Sequence, residues 1–480
     1  MTKSRTLIVA APDEQEIIKE SQHWIRGNHG VKVSGTYSSP RISSEIADCS
    51  MPLTFDHYNY CSLGCLYCFA YFFKSNNPSS SKGDISLKAI NPDQILNNIQ
   101  GLKLTKSGRL HYEHFYKRKF LLHWGGLADP FCTFEKYNQV GLRLLQGLGD
   151  LNYPTLLSFK GSTVFEEPYL KLFQNFSNQG NFAFQVSIVT GSDKLAALME
   201  IGVPSPTRRL EAIKTLSSMG YWTILRLRPF ILGVTNVGLD DLLHRALEAG
   251  IKGVSTEFFA ADARANIGMK TRYAWIAKQM GVPNNDLMAY YKATSPSERG
   301  GYMRGNRLIK EPYIKQIYKF CTEHGLVCGI SDPDFKELNT SGSCCGMPDN
   351  FPKNRLLQNW TRNQLTYHLK QARIAYHKTG QCPELQFNQV YGAESYLDCK
   401  ELANDHVTVI GRMCSVRYEL TQRIILQEQW NNLNSPSNPR NYFNGKLMPV
   451  GVDENGNFVY RYNPMAYEAE WSSEGIDLTV

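Results

Sequence analysis

The chain has 480 residues, 42% hydrophobic and 20% charged, which is ordinary for a soluble globular protein and long enough for one large domain with a smaller appendage. No apolar run is long enough to span a bilayer and Met1-Thr-Lys-Ser-Arg lacks a signal-peptide core, so the cytoplasm is expected and a membrane partner is not. The net charge of +8 suits a polyanionic partner, but a solvated surface explains so small an excess equally well.

Residues 1–48 read as an N-terminal extension. From about residue 50 short apolar strands alternate with amphipathic helices. Leu53–Tyr60 is strand-like and runs into a cysteine-rich loop. The polar stretch Ser75–Lys82 reads as a loop. Asn91 caps a helix with Pro92 in its first turn. Lys119–Trp124 is the next strand, Thr133–Leu148 has helical spacing, and Pro154–Phe159 and Phe182–Val189 are further strands. Ser205 and Pro206 open a helix with Leu210, Ile213 and Leu216 on one face, closed by Gly220. Trp222–Leu227 and Gly253–Phe259 read as strands around a helix at Leu239–Ala249. Such alternation implies a parallel sheet with helices outside, closed or partly closed into a barrel. Active residues then belong at the carboxyl ends of the strands, where the cysteine loop falls.

Asp262–Glu311 interrupts the rhythm, either as a lid over a substrate or as a surface excursion. The expected barrel covers 49–345 with 262–311 inserted. Residues 346–480 form a helical and irregular appendage, with helices in Asn354–Lys378 and a hairpin around Asp453.

Twelve cysteines in a reducing compartment point to metal or redox sites rather than disulfides. Three lie in eight residues, Cys61-Ser-Leu-Gly-Cys65-Leu-Tyr-Cys68. Three thiolates are one short of a closed tetrahedral zinc site or a fully ligated iron–sulfur cube. The loop therefore holds either a cluster with one open iron or a zinc whose fourth ligand lies elsewhere, with His57 as the candidate.

The cysteine loop is followed by Trp124-Gly-Gly-Leu-Ala-Asp-Pro-Phe, Ser158-Phe-Lys-Gly-Ser, Val186-Ser-Ile, Gly202-Val-Pro-Ser-Pro-Thr-Arg-Arg and Arg226-Leu-Arg-Pro-Phe-Ile-Leu-Gly. In this order the segments resemble the spore photoproduct lyase-like group of the radical S-adenosylmethionine (SAM) superfamily, over residues 50–260. The resemblance implies a partial (β/α)6 TIM-like barrel and a [4Fe–4S] cluster on Cys61, Cys65 and Cys68. SAM would bind at the open iron and be cleaved to a 5′-deoxyadenosyl radical that abstracts hydrogen from a substrate. It also implies an electron donor such as a flavodoxin or ferredoxin, and a nucleic acid or modified nucleobase as first-choice substrate.

By the same resemblance Gly125, Gly126, Asp129, Lys160 and Ser187 line the SAM site, with Arg226 as an anion-binding group. Tyr67, Phe69, Tyr71 and Phe72 would wall the barrel mouth. Arg226 and Arg228 share one strand face by period two. The sequence departs from the spore lyases where they place a hydrogen-donor cysteine, because Gly125-Gly126-Leu127 has none. Cys132 lies just downstream as a substitute or as an inert core thiol, and thymine-dimer repair is not expected. Tyr67 and Cys132 are thus the candidate catalytic side chains. A second group, Cys328, Cys344 and Cys345, with Cys321, Cys382, Cys399 and Cys414 around it, reads either as an auxiliary iron–sulfur or zinc site or as free thiols. Two rivals are a non-catalytic nucleic-acid-binding protein with a structural zinc or cluster, and a SAM-dependent methyl or methylthio transferase.

Overall fold

The computed structural model describes residues 30–37, 53–72, 86–102, 119–262, 267–294, 302–347, 365–391, 426–464 and 471–480, with isolated positions besides. The expected loop at Ser75–Lys82, Cys399, Cys414 and most of the 1–48 extension lie outside the described residues. No helix among the described residues is long and apolar enough to cross a membrane.

Seven parallel strands form the core: β1 (Leu53–Phe55), β2 (Leu122–Trp124), β3 (Thr155–Phe159), β4 (Phe182–Ser187), β5 (Trp222–Phe230), β6 (Gly253–Phe258) and β7 (Val327–Ile330). They lie side by side in chain order, and Arg41–Ile42 pairs antiparallel with β1 at the outer edge. The sheet curls as a partial barrel with one parallel strand more than six units. Helices connect the strands: α1 (Pro92–Gln100), α2 (Val140–Asp150), α3 (Glu167–Phe176), α4 (Pro206–Ser218) and α5 (Leu239–Glu248). The caps are those the sequence announces. Asn91 accepts from the Gln94 N–H, and Ser205 from the Arg208 N–H.

Period-two alternation divides the strands cleanly. Leu53, Phe55, Leu122, Trp124, Leu157, Phe159, Phe184, Val186, Leu225, Leu227, Val254 and Ile330 belong to one buried core with the helices. The alternate positions face the barrel interior. Its lower part is an apolar plug of Met51, Leu121, Leu156, Ala183, Ile224, Cys345 and Met347. Above it the lining is polar.

One expected helix is two. Thr133–Asn138 ends at Gln139, whose φ of 50° is left-handed, and α2 starts afresh at Val140. The buried Glu135 carboxylate causes the break, accepting hydrogen bonds from the first-turn N–H groups of Gly141 (3.0 Å) and Leu142 (2.8 Å).

The insertion holds α6 (Ile267–Gln279), α7 (Leu287–Thr294) and a small antiparallel sheet of Ala260–Asp262, Glu298–Arg299 and Tyr302–Arg304. Its Tyr273, Trp275 and Ile276 share a buried cluster with Cys65, Leu66 and Tyr67, so it packs onto the cysteine loop. Then α8 (Arg307–Glu323) leads to β7. In the C-terminal part α9 (Leu365–Thr379) and a three-stranded antiparallel sheet, with its hairpin turn at 453–457, share the main core through Leu369, Trp430, Tyr460 and Trp471.

Candidate active site

The cysteine loop is fixed from several directions. Gly64–Cys65 pairs antiparallel with Glu200–Ile201, and the Leu66 N–H bonds to the Met199 carbonyl at 3.0 Å. Only glycine fits at 64, because a Cβ there would stand 2.9 Å from that of Ile201. Ser62 accepts from the Thr133 N–H at 2.8 Å, and Arg272 of the insertion donates to the Cys65 carbonyl at 3.3 Å. Asp129 N–H points at Cys61 Sγ, 3.5 Å away.

None of the three forms a disulfide; Cys65 is buried, Cys61 and Cys68 half-buried. Burial pushes the Cys65 thiol up to about 12, with Lys160 opposing. A thiolate so placed needs a cation bound to it, which an iron–sulfur cluster provides. Among the described residues no three His, Cys, Asp or Glu side chains are grouped as a single metal ion would need. A cube spreads its ligand sulfurs over separate irons and asks for one loop rather than one point. His57 cannot complete a zinc site as the ring stands. Its Nε2 meets Glu135 at 3.0 Å, and its Nδ1 accepts from the Trp124 indole at 3.0 Å. The donor set fits a cluster better than a zinc.

Tyr67, expected at the reaction centre, is buried and donates its hydroxyl to Glu200. Glu200 also pairs with buried Arg209, which donates to the Ser187 carbonyl at 2.6 Å. The Tyr67 hydroxyl is thus committed to a network joining the loop, α4 and β4. Phe69 is 51% exposed, and the side chains of Tyr71 and Phe72 lie outside the described set. Cys132 is buried beside Cys61, with which its thiol hydrogen-bonds, so it stands at the loop and not across the barrel.

The segment after β2 is held close. Gly125 has a φ of 102°, and a Cβ there would lie 2.2 Å from the Ser158 carbonyl oxygen. Asp56, at the end of β1, accepts from the Leu127 and Ala128 N–H groups at 2.9 and 2.7 Å. Asp129, expected to touch SAM, accepts from the backbone N–H of Phe131 (2.8 Å), Lys160 (2.5 Å) and Gly161 (3.2 Å). Its carboxylate therefore clamps the loops after β2 and β3. The Lys160 ammonium lies 5.4 Å from the Tyr67 ring centre, on the cysteine side of the barrel.

The polar interior runs across five strands. His123 meets Ser158 at 2.8 Å, Ser158 donates to Gln185 at 2.6 Å, and Gln185 donates to the Cys345 carbonyl at 2.7 Å. Arg226 donates to Ser187 Oγ at 3.3 Å. Arg228 grips Glu257 with Nη2 at 2.6 Å and Nε at 3.2 Å, and Arg304 reaches the other Glu257 oxygen at 3.3 Å. Burial would raise the Glu257 carboxyl, but Arg228 and Arg304 outweigh it and hold it well below the usual carboxylate range.

Among the described residues Cys328, Cys344 and Cys345 are not brought together at one point. Cys328 points outward from β7 into the main core and hydrogen-bonds with Cys321 of α8. Its neighbour Gly329 faces inward, where an added Cβ would lie 2.8 Å from the Cys344 carbonyl oxygen. Cys344 and Cys345 thus lie inside the barrel and Cys328 outside it, on opposite faces of one strand.

Sequence reasoning passed over Asp56, Glu135, Glu200, Arg272, Glu257 and Arg304. Asp56 and Glu257 carried a signal, an acidic side chain at the carboxyl end of a strand. The others act through contacts far along the chain.

Fold and site together define a partial α/β barrel with a three-cysteine loop at the carboxyl-terminal mouth of its strands. No family model matches the chain. Uncharacterised proteins of Mycobacterium tuberculosis (strain ATCC 25618 / H37Rv) and Mycobacterium bovis are each 23% identical to it over 271 residues, 55% of this chain and 70% of theirs. Among solved structures it is similar to spore photoproduct lyase with AdoMet and a dinucleoside spore photoproduct bound, at 14% identity and a TM-score of 0.46, covering 68% of this chain and 88% of that one. It is also similar to SuiB of Streptococcus suis with S-adenosylmethionine bound, at 14% identity and a TM-score of 0.34, over 60% of this chain and 52% of the other.

Proposed function

We propose that this chain is a radical SAM enzyme. The observation that carries the reading is the Cys61–Cys65–Cys68 loop, pinned by backbone pairing at the mouth of a polar barrel while His57, the fourth zinc ligand the sequence offers, is engaged elsewhere. A [4Fe–4S] cluster on those cysteines, with one iron open to SAM, would supply the electron that cleaves SAM to methionine and a 5′-deoxyadenosyl radical.

The chain's own residues do the rest. The pairing of Cys65 with Glu200 and the Arg272 hydrogen bond hold the backbone of the cysteine loop in place. Gly125 lets the backbone after β2 approach β3 closely, so its polar groups can meet the amine of methionine. Lys160 brings a positive charge beside the loop for the methionine carboxylate, and Ser187 offers a hydroxyl at the end of β4 for the ribose. The insertion lays Tyr273 and Trp275 over the loop and keeps water from a reactive carbon radical. In this reading the enzyme works in the cytoplasm, takes electrons from a flavodoxin- or ferredoxin-type protein, and has nucleic acid or a modified nucleobase as its first-choice substrate, with which the small +8 charge is compatible.

The test is anaerobic reconstitution with iron and sulfide, followed by reductant and SAM. Wild type should be brown and form 5′-deoxyadenosine; Cys65→Ala should do neither. Turnover by Cys65→Ala, or a colourless wild type that binds zinc and nucleic acid without binding SAM, would reject the reading.

A further inference from the structure

Three guanidinium groups, Arg226, Arg228 and Arg304, stand at the ends of β5 and the insertion's sheet around one carboxylate, Glu257, among the described residues. Arg228 and Arg304 occupy both oxygens of Glu257. Arg226 has a neutral partner instead, the Ser187 hydroxyl, and its buried Nε has no partner among the described residues. Burial and then the neighbouring Arg228 push Arg226 down to about 10, with Cys345, Glu257 and Cys344 opposing. The hydrogen bond with Cys345 and then burial push Cys344 well up, which keeps it neutral at pH 7.

This cation group is separate from the one at the cysteine loop. Lys160 sits at the end of β3 beside Tyr67 and acts on Cys65. Arg226 and Arg228 are two strands further round, where Arg228 Nη1 lies 3.9 Å from Cys345 Sγ. Two distinct positive groups in one barrel mouth can serve two distinct anions. If the SAM carboxylate belongs with Lys160, the arginines are left for something else.

We propose that Arg226 and Arg228 form the substrate-recognition site of the barrel and bind an anionic oxygen group, phosphate or carboxylate, on the substrate. The guanidinium groups of Arg226 and Arg228 are the donors, and the Glu257–Arg304 pair holds Arg228 in place. A guanidinium fork matches the spacing of two oxygens on such a group, which a lysine does not. The site brings the anchored substrate over Cys344 and Cys345 at the floor of the polar layer. It deepens the reading above by giving the substrate a charge, but it stands on the arginines and not on the cluster.

The test is isothermal titration of the full-length, cluster-loaded, unreduced chain with inorganic phosphate and, separately, succinate. Wild type should bind one of them saturably, and Arg226→Gln should weaken that binding about tenfold or more. Arg208→Gln, on the exposed face of α4, should leave it unchanged. Arg226→Lys keeps the charge without the fork and should fall between. Should Arg226→Gln fail to fold, Arg226→Lys decides. Saturating SAM should leave the affinity as it was. Absence of saturable binding of either anion to wild type, equal binding by wild type and both Arg226 variants, or displacement of the anion by SAM would each overturn the proposal. The last result would give the arginines to the cofactor. No reductant is present, so a failure here leaves 5′-deoxyadenosine formation untouched, and a failure to form 5′-deoxyadenosine leaves anion binding to be read.

Discussion

Glu135→Gln tests how the cysteine loop is anchored from behind. The Glu135 carboxylate is buried and accepts from Tyr169 (2.6 Å) and the Leu142 N–H (2.8 Å) on Oε1. On Oε2 it meets Tyr58 (2.7 Å), His57 (3.0 Å) and the Gly141 N–H (3.0 Å). Glutamine has the same shape but one oxygen in place of two. The tyrosine hydroxyls can rotate away from an amide N–H, but backbone N–H groups cannot. Since each oxygen of Glu135 receives one backbone N–H, either orientation of the amide leaves a donor facing a donor. The loss is one charge-assisted hydrogen bond plus a stranded buried N–H, about 3 kcal/mol together. Equilibrium denaturation in urea should show a lower midpoint with an unchanged slope.

The pH dependence adds a second readout. Burial alone would raise the Glu135 carboxyl, but hydrogen bonds from His57, Tyr169 and Tyr58 outweigh it and hold it below the usual value. A depressed carboxylate contributes stability that is present above its unfolded pKa and lost as pH falls through its folded one. Wild type should therefore lose stability on acidification more steeply than Glu135→Gln. A variant within about 0.5 kcal/mol of wild type, or one with the same acid limb, would refute the anchoring argument.

Gly64→Ala should lower the iron bound per chain after reconstitution, because its Cβ would meet Ile201 at 2.9 Å, whereas Gly305→Ala, with open space around it, should not. Iron content should be about four atoms per chain and should stay there in Cys328→Ser and Cys344→Ser, since these residues lie on opposite faces of β7; about eight atoms in wild type, with a loss in both variants, would restore the auxiliary cluster. Tyr67→Phe should keep the brown colour and lose about 1.5–3 kcal/mol in urea denaturation, because Glu200 loses a buried donor but keeps Arg209; loss of colour at unchanged stability would return Tyr67 to the reaction centre.

Much of the barrel was legible because its signals are local. Period-two strands, the Asn91 and Ser205 caps and the three cysteines on one loop each depend on neighbours in sequence. The features that were not legible depend on contacts between distant segments. Nothing around Gln139 announces a break, since the cause is a glutamate whose other partners come from β1's loop and α3. The pairing of Arg226 and Arg228 on one face could be read from spacing, but Glu257 and Arg304 reach them only once β5, β6 and the insertion are side by side. The cysteine spacing from 328 to 345 looked like a metal site. The parity of β7, which turns Cys328 outward and Gly329 inward, undid it. Asp129 and Tyr67 come from the resemblance as site residues, but their polar atoms are taken by Lys160, Gly161 and Glu200.

The central claim is that Cys61, Cys65 and Cys68 hold an iron–sulfur cube with one corner open to SAM. Electron paramagnetic resonance of the reconstituted, reduced chain measures this most directly. The account predicts a reduced [4Fe–4S] signal that changes shape when SAM is added and is absent from Cys65→Ala. A signal from the intact, fully loaded cluster that SAM leaves unchanged would contradict it.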